Sequence, residues 1–262
     1  IVLLVEIWEA FDFFIYFTNI LLVKKNNPKT PSNNLNTNNC PDIDIYIATL
    51  NEAPSLLTNT ITACLNLEYP DKNKLHIYLC DDGNRNYIKQ LANDMNINYL
   101  TRSNNKDSKS GNYNNALNKT HSPYIATFDA DMAPTEDFLM NTIPYFLNTD
   151  EKIGFVQTPQ SFENPDIFQY RFNLENDIPF EQEYFYHSLQ LSKNSINAAV
   201  CCGTNVVFSR KALTDLKGFA KDTISEDIAT GMLIESKGYK CIVINKVLAY
   251  GKSVTELDGF LS

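Results

Sequence analysis

The sequence predicts an α/β protein with a mainly parallel central sheet flanked by helices. From Asp42 onward, apolar runs rich in isoleucine, leucine and tyrosine alternate with helical patterns. That order favours parallel strands joined by crossover helices. Acidic motifs follow two of the predicted strands, and in such sheets ligands bind beyond the carboxyl ends of the strands. The 262 residues are 44% apolar and 20% charged, an ordinary balance for a chain that buries a core.

The elements follow in order. Residues 1 to 23 form a mostly apolar run broken by Glu6, Glu9 and Asp12. At about 1.5 Å per residue the run is just long enough to span a bilayer. A spacing of three puts the acids on one side of a helix, facing protein or water. Lys24, Lys25 and Lys29 follow, as at the cytoplasmic end of a span. Residues 1–25 are therefore expected to be a transmembrane or membrane-associated helix, with a soluble amphipathic helix as the competing reading. The basic start and small-residue cleavage site of a secretory signal are missing. The start without methionine and the abrupt end suggest a piece of a longer protein. Residues 26–41, rich in Asn, Thr, Ser and Pro, read as a polar linker before a domain spanning 42–262.

Ile43, Ile45 and Ile47 open the first strand, which ends at Thr49-Leu50-Asn51-Glu52. Periodicity predicts a helix over about 54–67 and a strand over 75–80 running into Asp81-Asp82-Gly83. A helix over 87–95 and a short strand over 97–100 follow. After a polar loop, a helix over 112–119 leads to a strand over 124–128, closed by Asp129-Ala130-Asp131.

A net charge of −9 argues against nucleic acid as a partner, because phosphate backbones need a basic surface. An acidic protein can still bind a nucleotide through a bridging cation. Asp129 and Asp131, one residue apart on a turning backbone, can converge on a hard cation such as Mg²⁺ or Mn²⁺. There the cation would neutralise a diphosphate leaving group. Asp81 and Asp82 offer acceptors for a base N–H or ribose hydroxyls, or else simply cap a strand-to-helix turn. No G-x-G-x-x-G follows the first strand and no P-loop signature occurs. The six cysteines show no C-x-x-C pair, so they are expected to be reduced and mostly buried.

Seven short motifs stand in order: Thr49-Leu50-Asn51-Glu52, Asp81-Asp82-Gly83, Lys109-Ser110-Gly111-Asn112-Tyr113-Asn114, Asp129-Ala130-Asp131, Gln157-Thr158-Pro159-Gln160, Cys202-Gly203-Thr204 and Ser225-Glu226-Asp227. In that order they resemble cellulose synthases and related processive family 2 glycosyltransferases, from about Asp42 to Ser262. The resemblance implies a GT-A fold and inverting sugar transfer from a UDP-sugar donor to a glucan or other polysaccharide acceptor. It implies a domain facing the cytoplasm at the inner (plasma) membrane. By position, Thr49, Glu52 and Asp81 would hold the uridine side and Lys109 the phosphates, while Asp82 stays a substrate-binding candidate on its acceptor chemistry. Asp129 and Asp131 would serve the metal–diphosphate, and Cys202 and Gly203 the acceptor sugar. Asp227 matches the general base, a carboxylate that takes the acceptor hydroxyl's proton. A plain reading of Ser225-Glu226-Asp227 is a helix N-cap followed by acids.

Two departures stand out. Ser225 replaces the family's usual Thr. The Gln-x-x-Arg-Trp motif expected after Gly259-Phe260-Leu261-Ser262 is missing, as are the downstream membrane helices. The chain is therefore expected to be truncated and inactive alone. The aromatic stretch 164–194 resembles a membrane-facing helical region, although core packing is the simpler account of most of its rings. UDP-glucose is the expected donor. UDP-N-acetylglucosamine, or a non-catalytic UDP-sugar-binding module, are the alternatives. A nucleotidyltransferase fits the Lys109 and Asp227 motifs poorly.

Overall fold

The computed structural model describes residues 2–26, 28–32, 34–174, 177–180 and 182–253. Gly259 to Ser262, and any motif beyond them, lie outside these. The strands are β1 (Ile43–Thr49), β2 (Leu75–Asp81), β3 (Asn98–Leu100), β4 (Tyr124–Asp129), β5 (Ala133–Pro134), β6 (Ile153–Gln157), β7 (Ser161–Phe162), β8 (Val206–Ser209), β9 (Lys240–Val243) and β10 (Ala249–Gly251). Seven of them form one sheet in the order β3-β2-β1-β4-β8-β6-β9, and β5-β10-β7 form a small second sheet. β3, β2, β1 and β4 run parallel. β8 runs antiparallel to β4 and β6, while β9 is parallel to β6. The mainly parallel sheet is as expected, with one reversed strand.

Side-chain alternation along β1 divides the core. Ile43, Ile45 and Ile47 pack on one face with Leu57 and Ile61 of the helix Pro54–Asn66 and with Phe128. Tyr46 points to the other face, among Tyr113, Phe208 and Phe219. A strand buried on both sides suits a sheet covered by helices on both faces. One charge lies within it: Asp44, 1% exposed, accepts from Arg210 at 2.6 Å and from Ser122. The pairing satisfies a charge that would otherwise be costly to bury.

The parallel register fixes the functional end. Thr49 pairs with Asp81, and Ala48 with Asp129. The carboxyl ends of β1, β2 and β4 therefore finish level, and their motifs open on one edge.

Three expectations need adjustment. The helix expected over 112–119 begins four residues earlier, at Ser108–Leu117. Asp107 and Ser108 take left-handed φ values of 61° and 42°, so the chain turns sharply into the helix and carries Lys109 on its first turn. The aromatic stretch is mostly not core. Phe168, Tyr170, Phe172 and Tyr184 are exposed, Phe180 and Phe185 half-buried, and only Tyr186 of the seven is buried. Ile167–Phe172 is a short helix, and a second helical run continues through Phe185–Leu189, Gln190–Lys193 and Asn194–Ile196 with its winding changing along the way. Finally, Val2–Asn26 is an α-helix, but no helix among the described residues is long and apolar enough to cross a membrane. Glu6, Glu9 and Asp12 interrupt its apolar run. The helix lies against the Phe185–Ile196 segment, with Tyr16 and Tyr184 ring centroids 6.1 Å apart.

Candidate active site

The strand ends and the helix start at Ser108 enclose a cleft of about 490 Å³. Thr49, Glu52, Asp82, Lys109, Asn112, Asp129 and Asp131 are among its lining residues. Glu52 folds back on its own turn, accepting from Thr49 Oγ1 at 2.6 Å and from the Leu50 and Asn51 amides. Burial alone would push its carboxyl up; those hydrogen bonds outweigh burial and hold it below the usual range.

Asp81 and Asp82 divide their work. Asp81 is fully buried and accepts from the Gly83 and Arg85 amides, the Arg85 guanidinium and Tyr99 Oη. It caps the strand-to-helix turn, as the simpler reading of this motif has it, and stands behind the cleft wall. Asp82 does reach the cleft. Arg102 grips it with two hydrogen bonds of 2.6 Å and also donates to the carbonyls of Lys106 and Ser108. Arg102 thereby ties the β2 end to the loop that delivers Lys109. Gly111 sits against this bracket, where an added Cβ would lie 2.1 Å from Lys106 O.

At the end of β4, Asp129 forms an ion pair with Lys109, and Asp131 lies beside it, half-buried. Burial raises the Asp131 carboxyl, and the neighbouring Asp129 charge raises it further. Two adjacent half-buried carboxylates in a cleft fit a hard divalent cation, whose oxygen shell they would fill in part. Among the described residues no three His, Cys, Asp or Glu side chains form a cage. Such a cation would therefore depend on ligand or water oxygens as well.

Across from Asp129, the loop 202–205 is clamped to the sheet. Gln157, fully buried, accepts from the Cys202 amide and donates to the carbonyls of Thr158 and Thr204. Thr204 Oγ1 accepts from the Asp129 amide at 2.9 Å. Gly203 takes φ +70°, and a Cβ there would meet Asp227 Cβ at 3.1 Å, with Asp227 Oδ2 and Lys109 Nζ each 3.4 Å away. Gly203 is thus the gap across which Lys109 and Asp227 approach. Asp227 sits in the first turn of the helix Glu226–Ser236. Together with Gly203 and Lys109 it lines a second cavity of about 180 Å³. Cys202 turns away from both cavities toward Gln190 and Tyr186, and burial pushes its thiol up to about 11. All six cysteines are free thiols, five of them buried.

Arg85, Arg102 and the clamping amide of Gln157 are missing from the sequence-derived set. A signal for the arginines does exist. Asp81 and Asp82 at a strand end need nearby cations if they are to be buried, and Arg85 and Arg102 are the next two arginines along the chain.

Level parallel strand ends that present carboxylates to a cleft define a GT-A-like α/β fold. The solved structures agree. A mannosyltransferase from Pyrobaculum calidifontis, in complex with GDP-Man and Mn²⁺, superposes with a TM-score of 0.68 at 20% identity, covering 90% of this chain and 65% of that one. Glucosyl-3-phosphoglycerate synthase from Mycobacterium tuberculosis, with Mn²⁺, UDP and glucosyl-3-phosphoglycerate, gives 0.56 at 15% identity over 84% of this chain and 75% of that one. The model of glycosyl transferase family 2 matches residues 44–217, and the chain belongs to that family. It is 35% identical over 222 residues to a cellulose synthase catalytic subunit [UDP-forming] of Xanthomonas axonopodis pv. citri, and 37% identical over 218 residues to one from Pseudomonas fluorescens. These alignments cover 85% and 83% of this chain but only 30% and 29% of the relatives' lengths.

Proposed function

We propose that this domain carries out inverting transfer of a sugar, glucose from UDP-glucose, to the end of a growing β-glucan. The carrying observation is the shared edge: Thr49, Glu52, Asp82, Lys109, Asp129 and Asp131 line one cleft, with Asp227 across Gly203. Likeness to UDP-forming cellulose synthase subunits supports the donor and the acceptor class.

In this reading Thr49, Glu52 and Asp82 receive the nucleoside, and Asp81, through Arg85, keeps that turn in shape. Lys109 leaves Asp129 for the donor phosphates. Asp129 and Asp131 would hold Mg²⁺ or Mn²⁺, which when bound supplies charge neutralisation of the departing diphosphate. Gly203, with the Cys202 backbone beside it, borders the acceptor. Asp227 takes the proton of the attacking hydroxyl, on the side of the anomeric carbon opposite the leaving group. The apolar residues that the Val2–Asn26 helix leaves exposed, Trp8, Phe11, Phe13 and Phe14 among them, support association with the inner membrane, the domain facing the cytoplasm.

UDP release measured with UDP-glucose and UDP-N-acetylglucosamine, in the full-length protein containing this domain, tests the reading. Turnover should favour UDP-glucose. Asp227→Asn should lower kcat by about 10²–10⁴, the usual contribution of a general base, with donor binding retained. Turnover that survives Asp227→Asn would remove the base from Asp227.

A further inference from the structure

The segment that leads into Asp227 is poorly satisfied. Residues 221–225 are all exposed, and Ile224 is 99% exposed. Ile224 nevertheless borders the 180 Å³ cavity, whose walls include the rings of Tyr113, Phe208 and Phe219. Lys109, Ser110, Glu226, Asp227 and Thr230 complete the lining, and an apolar side chain left in water beside the aromatic part of that wall is an arrangement the hydrophobic effect opposes. The helix start has a matching defect. Ser225 occupies the N-cap position, where a hydroxyl ordinarily accepts the amide two or three residues on. It makes no such bond, and its ψ of 66° lies outside the extended range usual at that position. The amide of Ile228, three residues on, is taken instead by Asp227 Oδ1 at 2.8 Å. Asp222, at φ +59°, supplies a bend from which the segment can swing.

One movement would remove all these defects. We propose that residues 221–225 form a strap that closes when the donor cleft is filled. Closure lays Ile224 against the aromatic wall of the cavity, leaving the space beside Gly203 open, and passes the Ile228 amide from Asp227 to the Ser225 hydroxyl. Both Asp227 oxygens are then free to face the acceptor. Ile224 and Ser225 are thus positioning residues, acting through Asp227, and the proposal rests on the reading of Asp227 as the base. Lys109 offers the coupling, since it lines both the donor cleft and this cavity. An anionic ligand that draws Lys109 away from Asp129 acts on the cavity wall as well.

The native thiols make a direct test practical, because five are buried and Cys202 is half-buried. In the full chain, an Ile224→Cys variant should be alkylated rapidly by iodoacetamide. UDP with Mn²⁺ should slow that reaction at least about tenfold, the change in open population that a shift of about 1.4 kcal/mol produces. An unchanged rate, in a sample where calorimetry shows UDP bound, would overturn the strap and leave the donor reading standing. UDP that does not bind at all would remove both. Independently, Ser225→Ala should lower kcat by about five- to tenfold, the size of one lost cap. The donor KM should not move, and Ser225→Thr should restore the rate. An unchanged kcat, or a loss that Thr does not rescue, would show that Ser225 does not position the base.

Discussion

On the side of the cleft built from β1 and β2, Asp81 and Asp82 are each gripped by an arginine, and Glu52 by its own turn. Across Gly203, Asp227 leans on the amide of the residue next to it, beside an exposed isoleucine and an unused capping hydroxyl. The β1–β2 side, the proposed nucleotide seat, is cross-linked in advance, so little ordering would remain for a bound donor to impose. On the Asp227 side Gln157 clamps loop 202–205 and Thr230 Oγ1 accepts from the Ala220 amide, but among the described residues no arginine holds Asp227 itself. The contrast suggests a division of labour, in which a rigid donor seat faces a catalytic helix start that ligand completes.

The largest test breaks the rigid side. The Arg85 and Asp81 side chains are 10% and 0% exposed. Arg85→Ala leaves a buried carboxylate unpaired and should cost about 3–5 kcal/mol, read as a lowered denaturation midpoint. UDP affinity should fall too, because Arg85 also donates to Thr49 Oγ1 and to the Glu52 carbonyl. A smaller effect is expected at the seam. Gly203→Ala forces a side chain into a left-handed conformation at a cost of roughly 1–2 kcal/mol. Its methyl would crowd Asp227, so turnover should fall by more than stability does.

The smallest effect sits at the far end of the Asp227 helix. Glu235 Oε1 is buried with no partner among the described residues. Burial pushes the carboxyl up to about 7, against an opposing Ala199 backbone hydrogen bond and the Lys193 charge. A raised folded-state pKa means that the stabilisation is fully present below the ordinary value of 4.5 and is lost as pH rises through about 7. Glu235→Gln, uncharged throughout, should therefore stabilise the protein at pH 8 and change little at pH 4. Allowing for partial solvent screening, the gain is on the order of 1 kcal/mol.

Which features the sequence reveals follows the same division. β1, β2 and β4 are legible because apolar runs stop at acidic turns, and helix Pro54–Asn66 because Leu57, Ile61 and Cys64 recur at helical spacing. The start of the Ser108 helix is hidden by Asn, Asp, Ser and Gly, residues that normally signal a loop. Arg85 and Arg102 carry no motif of their own, and their roles exist only once the chain brings Thr49 and the Lys109 loop beside them. The exposed rings at Phe168, Tyr170 and Phe172 mislead for another reason: aromatic content predicts burial only when a regular element gives it a single face.

The central claim is a metal-assisted donor site at the ends of β1, β2 and β4. Calorimetric titration of UDP into the full chain, with and without Mn²⁺, tests it most directly. Binding should require Mn²⁺ and should be largely lost in the double variant Asp129→Ala, Asp131→Ala. Tight UDP binding that ignores both the metal and the double substitution would contradict the account.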